Sequence, residues 1–167
     1  VIMKMQLRDL IFVSACYVLA FSINISTLTP LQIRIAPQIP EAVSLVFLPH
    51  GVRVLAIIYY GWRGILYLFP AVTFMGYLSF LAGEAVFVLI GSAAVSLGAC
   101  YLGVTVTFHF YRKWRKKSKM TWREFVIAGS VSSILNALGL SFLQHELPNP
   151  ILMLGYFFGD TIGLIAL

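Results

Sequence analysis

The chain has 167 residues, of which 60% are hydrophobic and only 11% are charged. Soluble domains average about 45–50% apolar and about 25% charged residues, so this composition argues against a water-soluble globular domain. Apolar stretches near the length of a bilayer span occupy most of the sequence. We predict one all-α integral membrane domain over 1–167, a polytopic transmembrane helix bundle, and we expect the natural protein to extend beyond one or both ends.

The apolar runs predict about six spans. They are expected at 10–28, 41–60, 64–81, 84–110, 125–143 and 150–167. A proline-rich connection through Pro30, Pro37 and Pro40 follows the first span, since proline resists continuation of a helix. The bundle therefore consists of helices joined by short connections.

The charge distribution predicts the orientation of the bundle. Seven of the twelve cations lie between Arg112 and Arg123, in one connection between spans. Short loops rich in lysine and arginine stay on the cytoplasmic side of a membrane. With an even number of spans the amino terminus is then also cytoplasmic, which agrees with Lys4 and Arg8.

The same basic connection predicts a lipid contact. Its cations follow directly from a membrane span, so anionic lipid head groups are nearer partners than nucleic acid. We therefore expect membrane lipids, and no nucleic acid, to be bound by this loop. The residues assigned to anionic lipid are Arg112, Lys113, Arg115, Lys116, Lys117 and Lys119.

Small residues repeat at helical spacing on two spans. Lipid is as apolar as leucine, so spans associate through close packing and polar contacts, which small residues permit. The residues concerned are Gly155, Gly159 and Gly163 on the sixth span, and Gly129, Ser133 and Ala137 on the fifth. We predict helix packing within the chain here; a second copy or a partner helix is the alternative.

Two polar residues interrupt the second predicted span. His50 and Arg53 are one helical turn apart and share a face. Pro49 and Gly51 surround His50, which predicts a kinked or broken helix at this point. Asp160 stands in the middle of the sixth span, where a charge costs about 2.5–3.5 kcal/mol even on the lenient insertion scale.

Arg53 and Asp160 are expected at similar depth. Counted from the outer ends of their spans at 1.5 Å per residue, they lie roughly 18 and 15 Å deep. We predict that they form an ion pair, either as a structural lock between two spans or as part of a ligand, ion or proton site. Asn136, midway along the fifth span, is expected to hydrogen-bond across helices or to join this centre.

No motif for catalysis is visible in the sequence. Cys16 and Cys100 stand alone in apolar runs, without metal-ligand spacing. His145-Glu146 begins like H-E-x-x-H, but Asn149 occupies the place of the second histidine. We therefore expect no cofactor, no metal and no enzymatic activity.

Two segments carry a family resemblance. Leu48-Pro49-His50-Gly51-Val52-Arg53 with the following Gly61-Trp62-Arg63, and Gly159-Asp160-Thr161-Ile162-Gly163, resemble the membrane-associated sensor (MASE) family of the first type. In that family a bacterial membrane bundle is usually fused to a cytoplasmic output such as a histidine kinase or a diguanylate cyclase. The resemblance implies a sensor-like signalling role in the bacterial cytoplasmic (inner) membrane.

These observations leave three functional interpretations. The first is a non-catalytic sensory-type or accessory subunit that reads a lipid, a small ligand or a partner protein through the polar centre, within a larger assembly of membrane subunits. The second is the substrate-binding component of a vitamin-type transporter, because six-span proteins with interrupted helices also serve that role. The third is an ion-coupled unit using Asp160.

Neutralising three lysines of the basic connection tests the lipid assignment. We expect Lys116, Lys117 and Lys119 replaced together by glutamine to weaken association with anionic bilayers, measured as phosphatidylglycerol retained by the purified protein. Orientation should persist, because the other four cations of the loop remain. Arg34→Gln, on the opposite side in the predicted topology, is the control. Equal lipid loss in both variants would contradict the assignment.

Overall fold

The computed structural model describes residues 2–39, 44–79, 86–115, 121–143 and 150–167. All regular secondary structure within these ranges is helical, as the apolar runs predict. The elements in chain order are α1 (Ile2–Ile23), a π-helical turn (Asn24–Leu28), α2 (Thr29–Ile35), α3 (Leu48–Tyr60), α4 (Trp62–Ser79), α5 (Val86–Arg115), α6 (Trp122–Leu143) and α7 (Pro150–Ala166). Because α1, the π-helical turn and α2 run on without a break, the described residues form six helical rods.

The first rod is longer than predicted. We expected a span at 10–28 and a connection through Pro30, but the helix passes through this proline into α2. In a regular α-helix the ring of Pro30 would clash with the carbonyl of Ser26. A wider turn precedes the proline, in which the backbone N–H of Thr29 donates to the carbonyl of Asn24. Such π-helical turns change the local backbone spacing within an otherwise α-helical rod, so the helix continues.

Helix α3 is shorter than the predicted span at 41–60. Residues 44–47 are non-helical, and the helix begins at Leu48; the earlier part of the predicted span lies outside the described residues. Pro49 falls in the first turn, where its missing N–H leaves no helical bond unmade. Pro49 therefore marks the start of a helix rather than a kink within one, and Gly51 lies buried inside α3.

The non-helical segment 44–47 is held by hydrogen bonds to two other rods. The side-chain oxygen of Gln32 accepts from the backbone N–H of Leu45 at 2.7 Å. The carbonyl of Gly159 accepts from the backbone N–H of Phe47 at 2.9 Å. Irregular backbone at membrane depth is tolerated where protein groups satisfy it, and these contacts do so.

A tight hairpin joins α3 to α4. Gly61 links them with a φ of 59°, a left-handed conformation that glycine adopts without steric cost. Three residues later, a Cβ on Gly64 would stand 2.8 Å from the carbonyl oxygen of Ala56. The two helices consequently pack backbone to backbone at this end.

Helices α5 and α6 form the most extensive interface among the described helices. A Cβ on Gly103 would overlap the backbone of Ser132. The Ser132 hydroxyl donates to the carbonyl of Cys100 at 3.2 Å. Close approach and a buried polar contact thus act together, as is typical of helices packed in lipid.

Helix α7 packs through its glycines against the non-helical segment. A Cβ on Gly159 would overlap the carbonyl oxygen of Ser44, and a Cβ on Gly163 would overlap the backbone of Phe47. The row of glycines on α7 therefore faces the segment that leads into α3. On the other side of α7, the side chain of Leu164 lies where a Cβ on Gly129 of α6 would point, 2.7 Å away.

Helix α3 occupies the centre of the bundle. It contacts α1, α4, α5, α6 and α7, and eight of its thirteen residues are buried. One apolar cluster lies between α1, α3, α4 and α5, around Leu68 and Leu97. A second lies between α3, α5, α6 and α7, around Val54 and Leu164.

The outer surface of the bundle is apolar. Large hydrophobic side chains point outward from several helices, with Phe12 63% and Phe142 74% exposed. Within the described residues, three helices are long and apolar enough to cross a bilayer: Gln6–Ile35, Val88–Tyr111 and Trp122–Leu143. An apolar exterior around buried polar residues is the arrangement of a membrane protein.

The later helices lie where apolar runs are predicted. Helices α4, α5, α6 and α7 coincide with the expected spans at 64–81, 84–110, 125–143 and 150–167, within a few residues at each described end. The end at 81 and the start at 84 lie outside the described residues. Helix α5 extends to Arg115, beyond its predicted end.

Two glycines offer a matched test of this packing. Gly159→Ala places a methyl group against the Ser44 carbonyl, and overpacking of this kind costs about 1–3 kcal/mol. Gly98→Ala on α5 meets nothing within 4 Å and gains up to about 1 kcal/mol of helix propensity. We expect a lower thermal midpoint for Gly159→Ala in nanodiscs, and an equal or higher one for Gly98→Ala. A fully stable Gly159→Ala would contradict the close approach of α7 to 44–47.

Candidate functional site

Three ionisable side chains meet at the centre of the bundle. Helix α3 places His50 and Arg53 one turn apart, and α7 brings Asp160 beside them. Their exposed fractions are 1%, 4% and 4%. We call His50, Arg53 and Asp160 the polar centre.

His50 links α3 to two other helices. Its Nε2 lies 3.0 Å from the backbone carbonyl of Gly129 on α6. Its Nδ1 lies 3.4 Å from Oδ2 of Asp160 on α7. The imidazole therefore bridges α6 and α7 from the first turn of α3.

Arg53 has different partners from those predicted. Its Nη1 donates to the hydroxyl of Ser96 on α5, and its guanidinium carbon lies 5.5 Å from the centroid of the Phe47 ring, within the range of a cation–π contact. Its Nε has no hydrogen-bond partner among the described residues. The expected ion pair with Asp160 is not formed, because His50, one turn nearer the start of α3, occupies the position beside the carboxylate.

Asp160 owes its position to the glycine before it. Gly159 approaches the non-helical segment closely and accepts a hydrogen bond from Phe47. This fixes α7 against the residues that precede α3, so the next residue, Asp160, faces His50 at the start of that helix. The Oδ2 atom of Asp160 makes no hydrogen bond among the described residues.

Two further residues surround the centre. Tyr17 of α1 and Cys100 of α5 interact electrostatically with both Arg53 and Asp160, and both are buried. The sequence analysis did not find Tyr17, whose hydroxyl stands within an ordinary apolar run. Ser96, the partner of Arg53, was also missed, because a serine at helical spacing suggests packing alone.

Polar side chains of the first rod lie beside the segment that enters the centre. Asn24 is 4% exposed, and its amide donates to the hydroxyl of Ser44 at 3.3 Å. That hydroxyl in turn donates to the carbonyl of Val46 at 2.9 Å. Asn24 falls in the π-helical turn, so the irregularity of the first rod and the interruption before α3 are in contact.

The structure does not bring Asn136 into the polar centre. Its side chain is 8% exposed, and its Oδ1 has no partner among the described residues. One turn earlier on α6, the Ser133 hydroxyl donates to the carbonyl of Tyr156 at 3.3 Å. Ala137 is buried and Gly155 is half-buried on α7, while Ser133 lies in the α6–α7 contact.

Several predicted residues cannot be placed. Lys116, Lys117 and Lys119 lie outside the described residues, as do His145 and Glu146. The side chains of the remaining cations assigned to lipid, Arg112, Lys113 and Arg115, are also outside what the structure describes. The lipid assignment stays a prediction.

The polar centre combines a guanidinium, a carboxylate and an imidazole, all buried. No group of three or more histidine, cysteine, aspartate or glutamate residues able to hold a metal ion occurs in the part of the chain that the structure describes. Buried groups of this kind mark ligand, ion or proton sites in membrane proteins. The arrangement is suited to holding charge inside the bundle.

The chain matches no known family model, no curated protein and no solved structure. The resemblance of its two motifs to the membrane-associated sensor family therefore stays a prediction.

Double-mutant cycles on the free energy of unfolding separate the two possible partners of Asp160. We expect a coupling of about 0.5–3 kcal/mol between His50→Ala and Asp160→Ala, the range typical of residues in contact. The cycle of Arg53→Ala with Asp160→Ala should give a smaller value, since no direct contact joins these side chains. A larger coupling for Arg53 would show that the guanidinium, and not the imidazole, is the partner of Asp160.

Proposed function

We propose that this protein is a non-catalytic, sensory-type or accessory subunit of a larger membrane assembly. It reads a lipid, a small ligand or a partner protein through the polar centre of His50, Arg53 and Asp160. The observation that carries the proposal is that three buried ionisable groups meet at α3, beside the non-helical segment that precedes it. Each group has an atom without a hydrogen-bond partner among the described residues.

The energetic argument starts from the cost of burying charge. A buried ion pair is often no more stabilising than well-packed apolar residues of the same volume. Apolar side chains would therefore hold α3 against α6 and α7 at least as well. A polar centre retained at this depth fits a role other than stability, which is the default interpretation of ionisable residues inside a membrane.

The contacts of His50 suggest how the centre acts on the rest of the bundle. Its partner Gly129 lies five residues after Glu124, which is roughly 8 Å along α6. Glu124 and Thr121 form a reciprocal cap at the start of that helix, with the Thr121 N–H donating to Glu124 at 3.0 Å. A change at Asp160 is thus connected through His50 to the end of α6 that borders the basic connection.

We propose that the segment 44–47 can change how it docks against its neighbours. It is non-helical and is fixed by a small set of hydrogen bonds to Gln32, Asn24 and Gly159. Coupling between distant parts of a protein requires an element of this kind, whose equilibrium both parts bias. In this proposal, a change in the state of Asp160 alters how the segment 44–47 docks against α7.

We further propose six spans with a cytoplasmic amino terminus, in a multi-pass protein of a bacterial inner membrane. Helix α3 is roughly 20 Å long, and the segment 44–47 adds at most about 13 Å. Together they match the hydrocarbon thickness of about 30 Å. Helices α4 and α7, with 18 and 17 residues, reach about 26 Å, close enough for a bilayer to adapt.

A second candidate, the substrate-binding component of a vitamin-type transporter, draws support from the non-helical segment 44–47 that leads into α3. Transporter sites lie at the midplane where helices are discontinuous. Equilibrium binding of a panel of radiolabelled water-soluble vitamins to the purified protein separates the two. Saturable, tight binding that Arg53→Ala abolishes would replace the sensory proposal with this one.

The part of the cell's machinery that the bundle acts on distinguishes a sensor from an accessory subunit. The resemblance to the membrane-associated sensor family favours a signalling domain downstream of the bundle. Such a domain in the coding sequence after Leu167 would make the bundle its sensory input. A subunit that acts through neighbouring membrane proteins would instead keep those proteins bound during purification.

Hydrogen–deuterium exchange tests whether the polar centre communicates with the rest of the bundle. In nanodiscs, we expect Asp160→Asn to change exchange in peptides covering 44–50 and also at the start of α6, 121–125, because His50 connects the two. Asp9→Asn is the matched control, since Asp9 pairs with the exposed Arg8 on α1.

A change confined to residues that touch Asp160 would contradict the sensory proposal. The aspartate would then be a local structural pin. The same result in Asp9→Asn as in Asp160→Asn would show that loss of any carboxylate loosens the bundle, which also counts against a specific reading centre.

A further inference from the structure

The contact with the Gly129 carbonyl determines which ring nitrogen of His50 carries the hydrogen. A backbone carbonyl has no hydrogen to donate, so the 3.0 Å contact between His50 Nε2 and the carbonyl of Gly129 requires that Nε2 carry the hydrogen. In a neutral imidazole the other nitrogen is then an acceptor. Nδ1 of His50 therefore presents a lone pair to its neighbour.

That neighbour is also an acceptor. Oδ2 of Asp160 lies 3.4 Å from Nδ1 of His50, and neither atom has a hydrogen-bond partner in the described part of the chain. If Asp160 is ionised and His50 neutral, a lone pair faces a carboxylate oxygen in a buried site. One added proton turns this repulsion into a hydrogen bond, either as imidazolium with carboxylate or as imidazole with carboxylic acid.

The positive charge of Arg53 opposes the binding of a proton to the pair. Its guanidinium is permanently charged and acts electrostatically on His50. Without the proton, Arg53 and ionised Asp160 balance and the polar centre is neutral. With the proton, the centre carries a net charge of +1 in a low-dielectric interior. Each state therefore has one unfavourable feature: a lone pair facing a carboxylate oxygen without the proton, and a net buried charge with it.

The groups around the pair come from α1, α3, α5, α6 and α7. They are Tyr17 from α1, Arg53 from α3 itself, Cys100 from α5 and Asp160 from α7, while α6 contributes the Gly129 carbonyl. Helix α4 is represented by Tyr67, whose ring meets that of Tyr60 edge to face at the far end of α3, away from the pair. The carboxylate of Asp160 is therefore the acceptor placed to share a proton with His50.

The packing around the pair favours a very small ligand. Leu164 of α7 is 2% exposed and fills the space beside Gly129, while a Cβ on Gly51 would stand 3.4 Å from Leu164. A proton needs no cavity of its own. The geometry thus accommodates it without moving any helix.

We propose that the ligand of the polar centre is a proton, held between Nδ1 of His50 and Oδ2 of Asp160. Binding forms one N–H or O–H bond and breaks none within the protein, and the proton comes from water. The consequence for signalling rests on the proposed function, in which the occupied and empty states differ in the docking of 44–47. The binding site itself does not depend on that function.

Nitrogen NMR of the histidine ring tests the site directly. The wild-type protein, with 15N-labelled histidine in nanodiscs, is titrated over about pH 5–8, where an unperturbed histidine changes charge. His50→Gln identifies the His50 signals by their loss. We expect Nε2 of His50 to carry a hydrogen throughout, and the Nδ1 resonance to shift as the proton binds.

Asp160→Asn replaces the bound proton with a permanent donor. Its amide N–H can donate to Nδ1 at every pH, so we expect the pH-dependent shift of His50 to disappear. His109→Gln, at an exposed position on α5, should leave the His50 titration unchanged. If Asp160→Asn does not fold, the wild-type titration decides alone.

The proposal is overturned if Nδ1 rather than Nε2 carries the hydrogen, if His50 shows no pH-dependent shift, or if the shift persists in Asp160→Asn. Its failure is distinguishable from that of the proposed function. A titrating His50 whose protonation leaves exchange at 121–125 unchanged would keep the proton site and remove the sensory role. If His50 does not titrate but Asp160→Asn still changes hydrogen–deuterium exchange at 121–125, the proton site is removed and the sensory role is kept.

Discussion

The non-helical backbone of residues 44–47 must find hydrogen-bond partners outside its own segment, and the arrangement of the helices around α3 depends on this constraint. A helix satisfies its own backbone, whereas an irregular segment in a membrane relies on its neighbours. Here Gln32 and Gly159 supply acceptors to that segment. Two rods are thereby tied to the start of α3, the helix that all the later helices surround.

The need to satisfy this backbone explains the role of the small residues of α7. A row of glycines at helical spacing is usually taken as a surface for another helix. In this bundle Gly159 and Gly163 instead admit the backbone at Ser44 and Phe47. Their lack of a side chain brings a carbonyl acceptor close to an irregular segment, and it sets the depth of Asp160. Helix packing and the position of the charge are consequences of the same close approach.

The helices of this fold follow from the apolar runs, but the interruptions do not. Pro30 and Pro49 are both prolines in apolar surroundings, yet the helix passes through the first and begins at the second. The difference depends on the π-helical turn and on contacts from Gln32 and Gly159, which are distant in sequence. Likewise, helical spacing placed His50 and Arg53 on one face at the depth of Asp160. It did not show which one meets the carboxylate, because that depends on where α3 begins.

The polar centre divides its charges between a fixed and a variable part. Arg53 is permanently charged, donates to Ser96 and lies near the ring of Phe47, so its state does not change. His50 is held by the Gly129 carbonyl through Nε2, so Nδ1 is the ring nitrogen that faces Asp160. In the proposed proton site, a fixed cation thus stands beside a pair that shares one proton. A buried site with only the pair would lack the opposing charge, and a site with only Arg53 and Asp160 would be a static lock. The three residues together place one fixed charge and one proposed proton-sharing pair in contact with residues of α5, α6 and α7.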